Sequence, residues 1–188
     1  ILPSEKLASF FVEFELKTNP ILRYIMTICD LVFEDRQSYA QRILNALPHD
    51  TCFYWTKEPK DLANKQEKIW GDLLNRTNQK SNLLLQKTHG LDPIKLPDTF
   101  IQTYRNWINE LNNFQLFAAH DIIFELKSPL IAYALLAENM NFDKAFETAF
   151  LEELHQIKLW GMTEEQEQRH LAIKSECQSL LQLYELST

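Results

Sequence analysis

The sequence predicts a mainly α (α+β) fold, an antiparallel helical bundle carrying a small two-strand element, and three observations predict it. Only three glycines occur in 188 residues, against an ordinary usage of ~7%. Helices tolerate that scarcity; β-sandwiches and phosphate-binding loops do not. Apolar residues recur at spacings of three and four along most of the chain, the period of a helix with one buried face. Two short runs, near 50–56 and 82–88, break that period, and the first is β-branched and aromatic as a strand would be. The length suits one domain over 1–188, with helices and both strands in 1–96 and an all-helical bundle in 97–188.

The elements follow in order. Pro3, Ser4 and Glu5 start a helix whose stripe is Leu7, Phe10, Phe11, Phe14 and Leu16, and Asn19-Pro20 ends it. Leu22, Ile25, Met26, Ile28, Cys29 and Val32 make a second helix, apolar over so much of its circumference that it is expected at the centre of the core. Glu34-Asp35 kinks or restarts it, and a helix over 36–47 presents Tyr39, Ile43, Leu44 and Leu47 before Pro48. After the strand at 50–56, Pro59 opens a helix over 59–76 that buries Leu62, Gln66, Ile69, Trp70, Leu73 and Leu74. The second strand follows a polar turn, and the two strands pair in parallel across the intervening helix. Helices are then expected over 98–111, 113–126, 128–138, 142–160 and 163–186, with Ser128 and Asn141 as caps. Short connections make them antiparallel neighbours.

Charge and motif content exclude several functions. A formal net charge of -7 opposes binding to phosphate backbones, which needs a clustered basic face. Lys57, Lys60, Lys65 and Lys68 align at helical spacing, yet Glu58, Asp61 and Glu67 interleave with them as on a solvated helix face. No apolar run reaches the ~20 residues that span a bilayer, so neither nucleic-acid binding nor membrane insertion is expected. Cys29, Cys52 and Cys177 are odd in number and in no metal-ligand spacing, as in a reducing compartment. The isolated glycines rule out a glycine-rich phosphate cradle, Ser128 reads as a helix cap rather than a nucleophile, and no cofactor and no enzymatic activity are expected. One metal reading stands as an alternative. Glu152/His155 and Glu167/His170 repeat the Glu-x-x-His spacing of di-metal carboxylate bundles, with Glu125, Glu138 or Glu147 as further carboxylates.

The most informative stretch runs from 149 to 161, A-F-L-E-E-L-H-Q-I-K-L-W-G. Phe150, Leu151, Leu154, Ile157, Leu159 and Trp160 form its apolar side, while Glu152, Glu153, Gln156 and Lys158 form an acidic shoulder. Gly161 stops the helix, and Thr163 with Glu164 and Glu165 caps the next, so Trp160 and Gly161 are expected as the structural corner between them.

The pattern E-E-x-x-Q-I-x-x-W-G resembles the F-type ATP synthase assembly chaperones that bind the alpha subunit of the catalytic F(1) sector. The resemblance extends along nearly the whole chain, through D-T-C-F-Y-W at 50–55, Q-E-K-I-W-G-D-L-L at 66–74, Thr88-His89-Gly90 and the paired helices at 111–136 around Ser128. Gly71-Asp72 stand where the family favours Asp-Pro, and the family's N-terminal β domain is expected to be absent from this chain. The resemblance implies a chaperone that masks an apolar subunit interface of the alpha subunit until beta subunits cover it, with Glu152, Glu153 and Gln156 as partner-binding residues. A generic helical scaffold remains the alternative. The tail M-T-E-E-Q-E-Q-R-H is similar to bacterial members, implying the cytoplasm of an alphaproteobacterium, with the mitochondrial matrix as the other location. Phe10, Phe11, Phe14, Ile21, Ile25 and Ile28 exceed what a solvated face carries, so an uncovered apolar patch and weak self-association are expected.

Overall fold

One helix is wrapped by the others. The segment Asn113–Leu126 (α5 below) buries Phe114, Leu116, Phe117, Ala118, Ala119, Ile122, Ile123 and Leu126, faces pointing in nearly every direction around its axis. A helix apolar around its circumference has to be covered on all sides. The computed structural model describes residues 20–29, 33–81 and 84–188, and nine α-helices stand among them. They are α1 (Pro20–Thr27), α2 (Phe33–Ala46), α3 (Lys60–Ser81), α4 (Asp98–Glu110), α5 (Asn113–Leu126), α6 (Pro129–Ala137), α7 (Phe142–Ala149), α8 (Leu151–Trp160) and α9 (Glu164–Leu186). Helices α2, α6 and α9 pack directly on α5, α7 packs on α6, and α8 lies against α3.

The bundle is thus mainly α as expected, but the centre falls elsewhere. Helix α1 is only eight residues long and amphipathic, burying Ile21, Tyr24 and Ile25 while Met26 is exposed. The core-centre role expected for that stretch belongs to α5. The helix expected over 3–17, with Phe10, Phe11 and Phe14, lies outside the described residues, whereas Ile21, Ile25 and Ile28 are all buried. The expected disturbance near Asp35 is present as a non-helical residue, φ -132 and ψ 40, inside α2.

The two-strand element is a correction. Among the described residues no strand is present; Thr51–Phe53 is a 3-10 turn, and residues 54 and 88 meet in a single isolated parallel bridge. The bridge is well formed, with Trp55 N donating to Thr88 O at 2.8 Å and Thr88 N to Phe53 O at 2.7 Å. Side chains capture the amides that a longer ladder would use. Asp50 Oδ1 accepts from Cys52 N at 2.8 Å, and Asn78 Oδ1 accepts from Leu85 N at 2.7 Å. Asn78 belongs to the polar run expected as a turn; that run instead continues α3 to Ser81. The helix expected over 142–160 is also two helices, broken at buried Phe150 with φ -99 and ψ 24.

Helix ends hold the remaining elements in register. Asn112 and Gln115 close a capping box on α5, Thr163 and Gln166 another on α9, and Asn141 caps α7. Arg36 of α2 donates to the carbonyls of Ile108 at 2.9 Å and Leu111 at 2.7 Å, and to Asn113 Oδ1 at 2.8 Å. A cation thereby satisfies the open carbonyl end of α4 and fixes the α4–α5 junction.

The two halves of the chain meet at a buried carboxylate. Asp50 is fully buried and accepts from Ser128 Oγ at 2.8 Å, Leu130 N at 2.7 Å and Cys52 N. Ser128 Oγ in turn accepts from Ile131 N at 3.1 Å, the capping role its sequence context indicates. Burial pushes the Asp50 carboxyl up to about 6 against the opposing effect of these donors.

Candidate functional site

The two glutamates of the acidic shoulder lie on α8 but serve different neighbours. Consecutive helical residues project about 100° apart, so Glu152 turns toward α3 and Glu153 toward α9. Glu152 Oε1 accepts from Gln66 Nε2 at 2.6 Å, and Gln66 Oε1 accepts from Thr56 N at 2.9 Å. Gln66 is fully buried, so one amide joins the 56–59 loop, α3 and α8. Burial raises the Glu152 carboxyl above its usual range, and the Gln66 hydrogen bond only partly offsets it.

Glu153 takes the opposite course. Its Oε1 accepts from Arg169, in a close contact, and from His170 Nε2 at 2.9 Å. Burial alone would raise this carboxyl, but the Arg169 and His170 interactions outweigh it and hold it below its usual range. Both partners lie on α9, beyond the corner. Their separation of 16 and 17 residues follows no periodic spacing, and no sequence signal pairs them. The two glutamates of the expected acidic shoulder are therefore half-buried and internally bonded, while Gln156 and Lys158 are exposed.

A second tie secures α8. Lys65 Nζ lies 2.8 Å from His155 Nδ1, and Lys65 can only donate, so that nitrogen accepts and Nε2 carries the proton. Nε2 then faces Asp61 Oδ2 at 3.4 Å, long for a hydrogen bond yet of the right sign for attraction. Deeper in the same seam, fully buried Trp70 donates Nε1–H to Thr148 O at 2.8 Å, joining α3 to α7. Gly71 lets Trp55 approach α3: a Cβ there would stand 3.3 Å from the Trp55 ring. The histidines of both Glu-x-x-His repeats are thus engaged with other partners, and among the described residues no group of three or more His, Cys, Asp or Glu is placed to hold a metal.

The corner itself is made by backbone. Gly161 has φ 85 and ψ 164, a conformation open to glycine and strained for other residues. Trp160, expected to share the structural role, has a side chain that is 78% exposed, and Leu159 and Met162 beside it are 55% and 44% exposed. Glu164 and Glu165 follow in the first turn of α9. The corner thus presents three adjacent apolar side chains to solvent, with carboxylates next to them.

Comparison with known proteins agrees with this architecture. No protein-family model matches the chain. The mitochondrial protein Atp12 of Schizosaccharomyces pombe is 25% identical over 138 residues, 70% of this chain and 47% of that protein; the chain spans about half the length of this relative. Atp12 from Paracoccus denitrificans superposes with a TM-score of 0.88 at 20% identity, over 100% of this chain and 84% of that one. A single-substitution mutant of the Paracoccus protein gives 0.90 at 20% identity, over 100% and 83%. The Agrobacterium tumefaciens protein Atu1473, a proposed chaperone, gives 0.86 at 22% identity, over 99% and 73%. The chain is thus similar to Atp12 proteins in sequence over 138 residues and in fold over its whole length.

Proposed function

We propose that this protein is a chaperone for assembly of the F(1) sector of the F-type ATP synthase. It holds the unassembled alpha subunit and masks that subunit's apolar interface until beta subunits replace it. The observation that carries this reading is the coincidence of a 138-residue sequence match to Atp12 with full-length agreement in fold. The activity is binding rather than catalysis. Its place of action is the cytoplasm of an alphaproteobacterium or, as for the Schizosaccharomyces pombe relative, the mitochondrion. Among the described residues no helix is long and apolar enough to cross a membrane.

The contact surface we assign is the exposed end of α8. An unassembled subunit exposes apolar area that aggregates unless covered, and Leu159, Trp160 and Met162 offer a small apolar surface of matching character. Gln156 faces solvent on the same helix, while Glu152 and Glu153 fasten that helix to α3 and α9. Tryptophan is a frequent anchor at interfaces because it buries a large area with few torsions to restrict. Purified alpha subunit should be captured by the wild-type chain and about tenfold more weakly by W160A, a change of about 1.4 kcal/mol. Replacing Glu152 and Glu153 together by Gln should also weaken capture while the helical circular dichroism stays intact. No capture of alpha subunit by the wild-type chain would overturn the reading.

A further inference from the structure

The cations of α3 divide into two sets. Lys60 pairs with Glu58 at 3.2 Å, Lys65 with His155, and Lys80 with Glu138 at 2.8 Å. Lys68 and Arg76 make no ion pair with any described residue. Both line one groove of about 580 Å³ between α3 and α7, and Lys144 faces them from α7, likewise without an ion pair among the described residues. Ile69, Leu73 and Met140 supply apolar lining, Asn75 and Gln79 add amides, and Asp72 is the single carboxylate. A protein of net charge -7 therefore gathers three cations, against one carboxylate, around a recess with apolar walls.

We propose that this groove is a second protein-contact surface, which takes an amphipathic segment carrying acidic side chains on a protein partner. Charge complementarity selects the occupant. Carboxylates on the incoming segment would meet Lys68, Arg76 and Lys144, while its apolar side chains would cover Ile69 and Met140. A nucleic acid fits less well, because three cations beside Asp72 on an acidic protein make a poor track for continuous phosphates. The groove is separate from the α8 corner. Glu152 and His155 meet α3 at Gln66, Lys65 and Asp61, so α8 runs toward the start of α3, whereas the groove extends along it to Gln79.

The alpha subunit is not needed to test this, so failure of the assembly reading and failure of the groove are distinguishable. The full chain, labelled with nitrogen-15, is titrated with a blocked helical peptide of alternating Leu-Leu and Glu-Glu pairs, followed by amide shifts and by affinity. Shifts should centre on α3 and α7, and K68E/K144E should bind the peptide at least tenfold more weakly with unchanged circular dichroism. A peptide with Lys in place of Glu should not bind the wild type and should bind the double variant. Equal affinity of wild type and K68E/K144E would overturn the proposal, as would shifts centred on Trp160 or heparin binding as tight as that of the peptide. Self-association that K68E/K144E abolishes would assign the groove to a second copy of the chain and overturn it equally.

Discussion

Asp50 and Glu153 each tie together parts of the chain that lie far apart in sequence, and their surroundings drive them in opposite directions. Asp50 is sealed in the interior, bonded to two backbone amides and a serine hydroxyl, and its carboxyl is raised to about 6. Glu153 sits at the edge of the bundle beside Arg169 and His170, and its carboxyl is lowered. The difference teaches that burial with neutral donors favours the uncharged acid, while a neighbouring cation reverses the sign even where desolvation opposes it. The Asp50 junction is accordingly a structural rivet, whereas the Glu153 tie is shallow and exchangeable.

The largest expected effect comes from breaking the rivet. Asp50→Ala leaves the amides of Cys52 and Leu130 and the Ser128 hydroxyl without their acceptor in a dry site, a loss of about 3 kcal/mol or more. Urea denaturation should show it directly. Asp50 also gives a pH signature. Its folded value of about 6 stands above the unfolded 3.8, so its stabilising contribution is complete below pH 3.8 and declines as pH rises through 6. Asp50→Asn should remove that component, and an unchanged difference between wild type and variant from pH 4 to pH 7 would contradict it.

Next in size is the corner. At Gly161 a Cβ would meet nothing within 4 Å, so any cost of substitution is purely conformational. Gly161→Val should lose about 1–2 kcal/mol. Gly161→Ala should lose nearly as much, because the strain belongs to the backbone and not to side-chain bulk. Full retention of the melting temperature in both variants would remove the positive φ from the account of the corner.

Breaking the shallow tie should cost less. Glu153→Gln removes the charge facing Arg169 and His170, and with Arg169 45% exposed solvent screening limits the loss to under about 1 kcal/mol. The pH dependence should run opposite to that of Asp50. A lowered carboxyl contributes stability above its unfolded value and loses it as pH falls through the acid range. Acid titration of wild type against Glu153→Gln checks the sign.

The same contrast marks how much was legible in the sequence. Helix α5 has the bounds expected from the sequence, Asn113–Leu126, and the Asn112/Gln115 capping box that fixes its start is a local feature of the same stretch. Glu152 and Glu153 were readable as an acidic pair on a helix, and Gln66 as a residue on a buried face, because both follow from helical period. Their separate destinations were not readable, since Arg169 and His170 are brought to Glu153 only by the reversal at Gly161. The strands failed for a related reason. The run 50–56 has the residue types of a strand, yet Asp50 spends its carboxylate on Cys52, Ser128 and Leu130 and curls the chain into a turn. Partners 78 and 80 residues away leave no local pattern.

The smallest effect on stability separates a structural corner from a contact surface. With its side chain 78% exposed, Trp160 has little area to lose from water on folding, and Trp160→Ala should change unfolding free energy by no more than about 0.5 kcal/mol. Gly161 and Trp160 are neighbours in one motif, yet they should respond oppositely. Gly161 variants should lower stability and, if they stay folded, reduce alpha-subunit capture only through displacement of α8. Trp160→Ala should leave the melting curve in place and reduce capture directly, with Trp160→Phe restoring part of it because a ring still covers apolar area. A Trp160→Ala variant that melts several degrees early would show that the indole packs into the corner after all. The apolar contact would then fall to Leu159 and Met162.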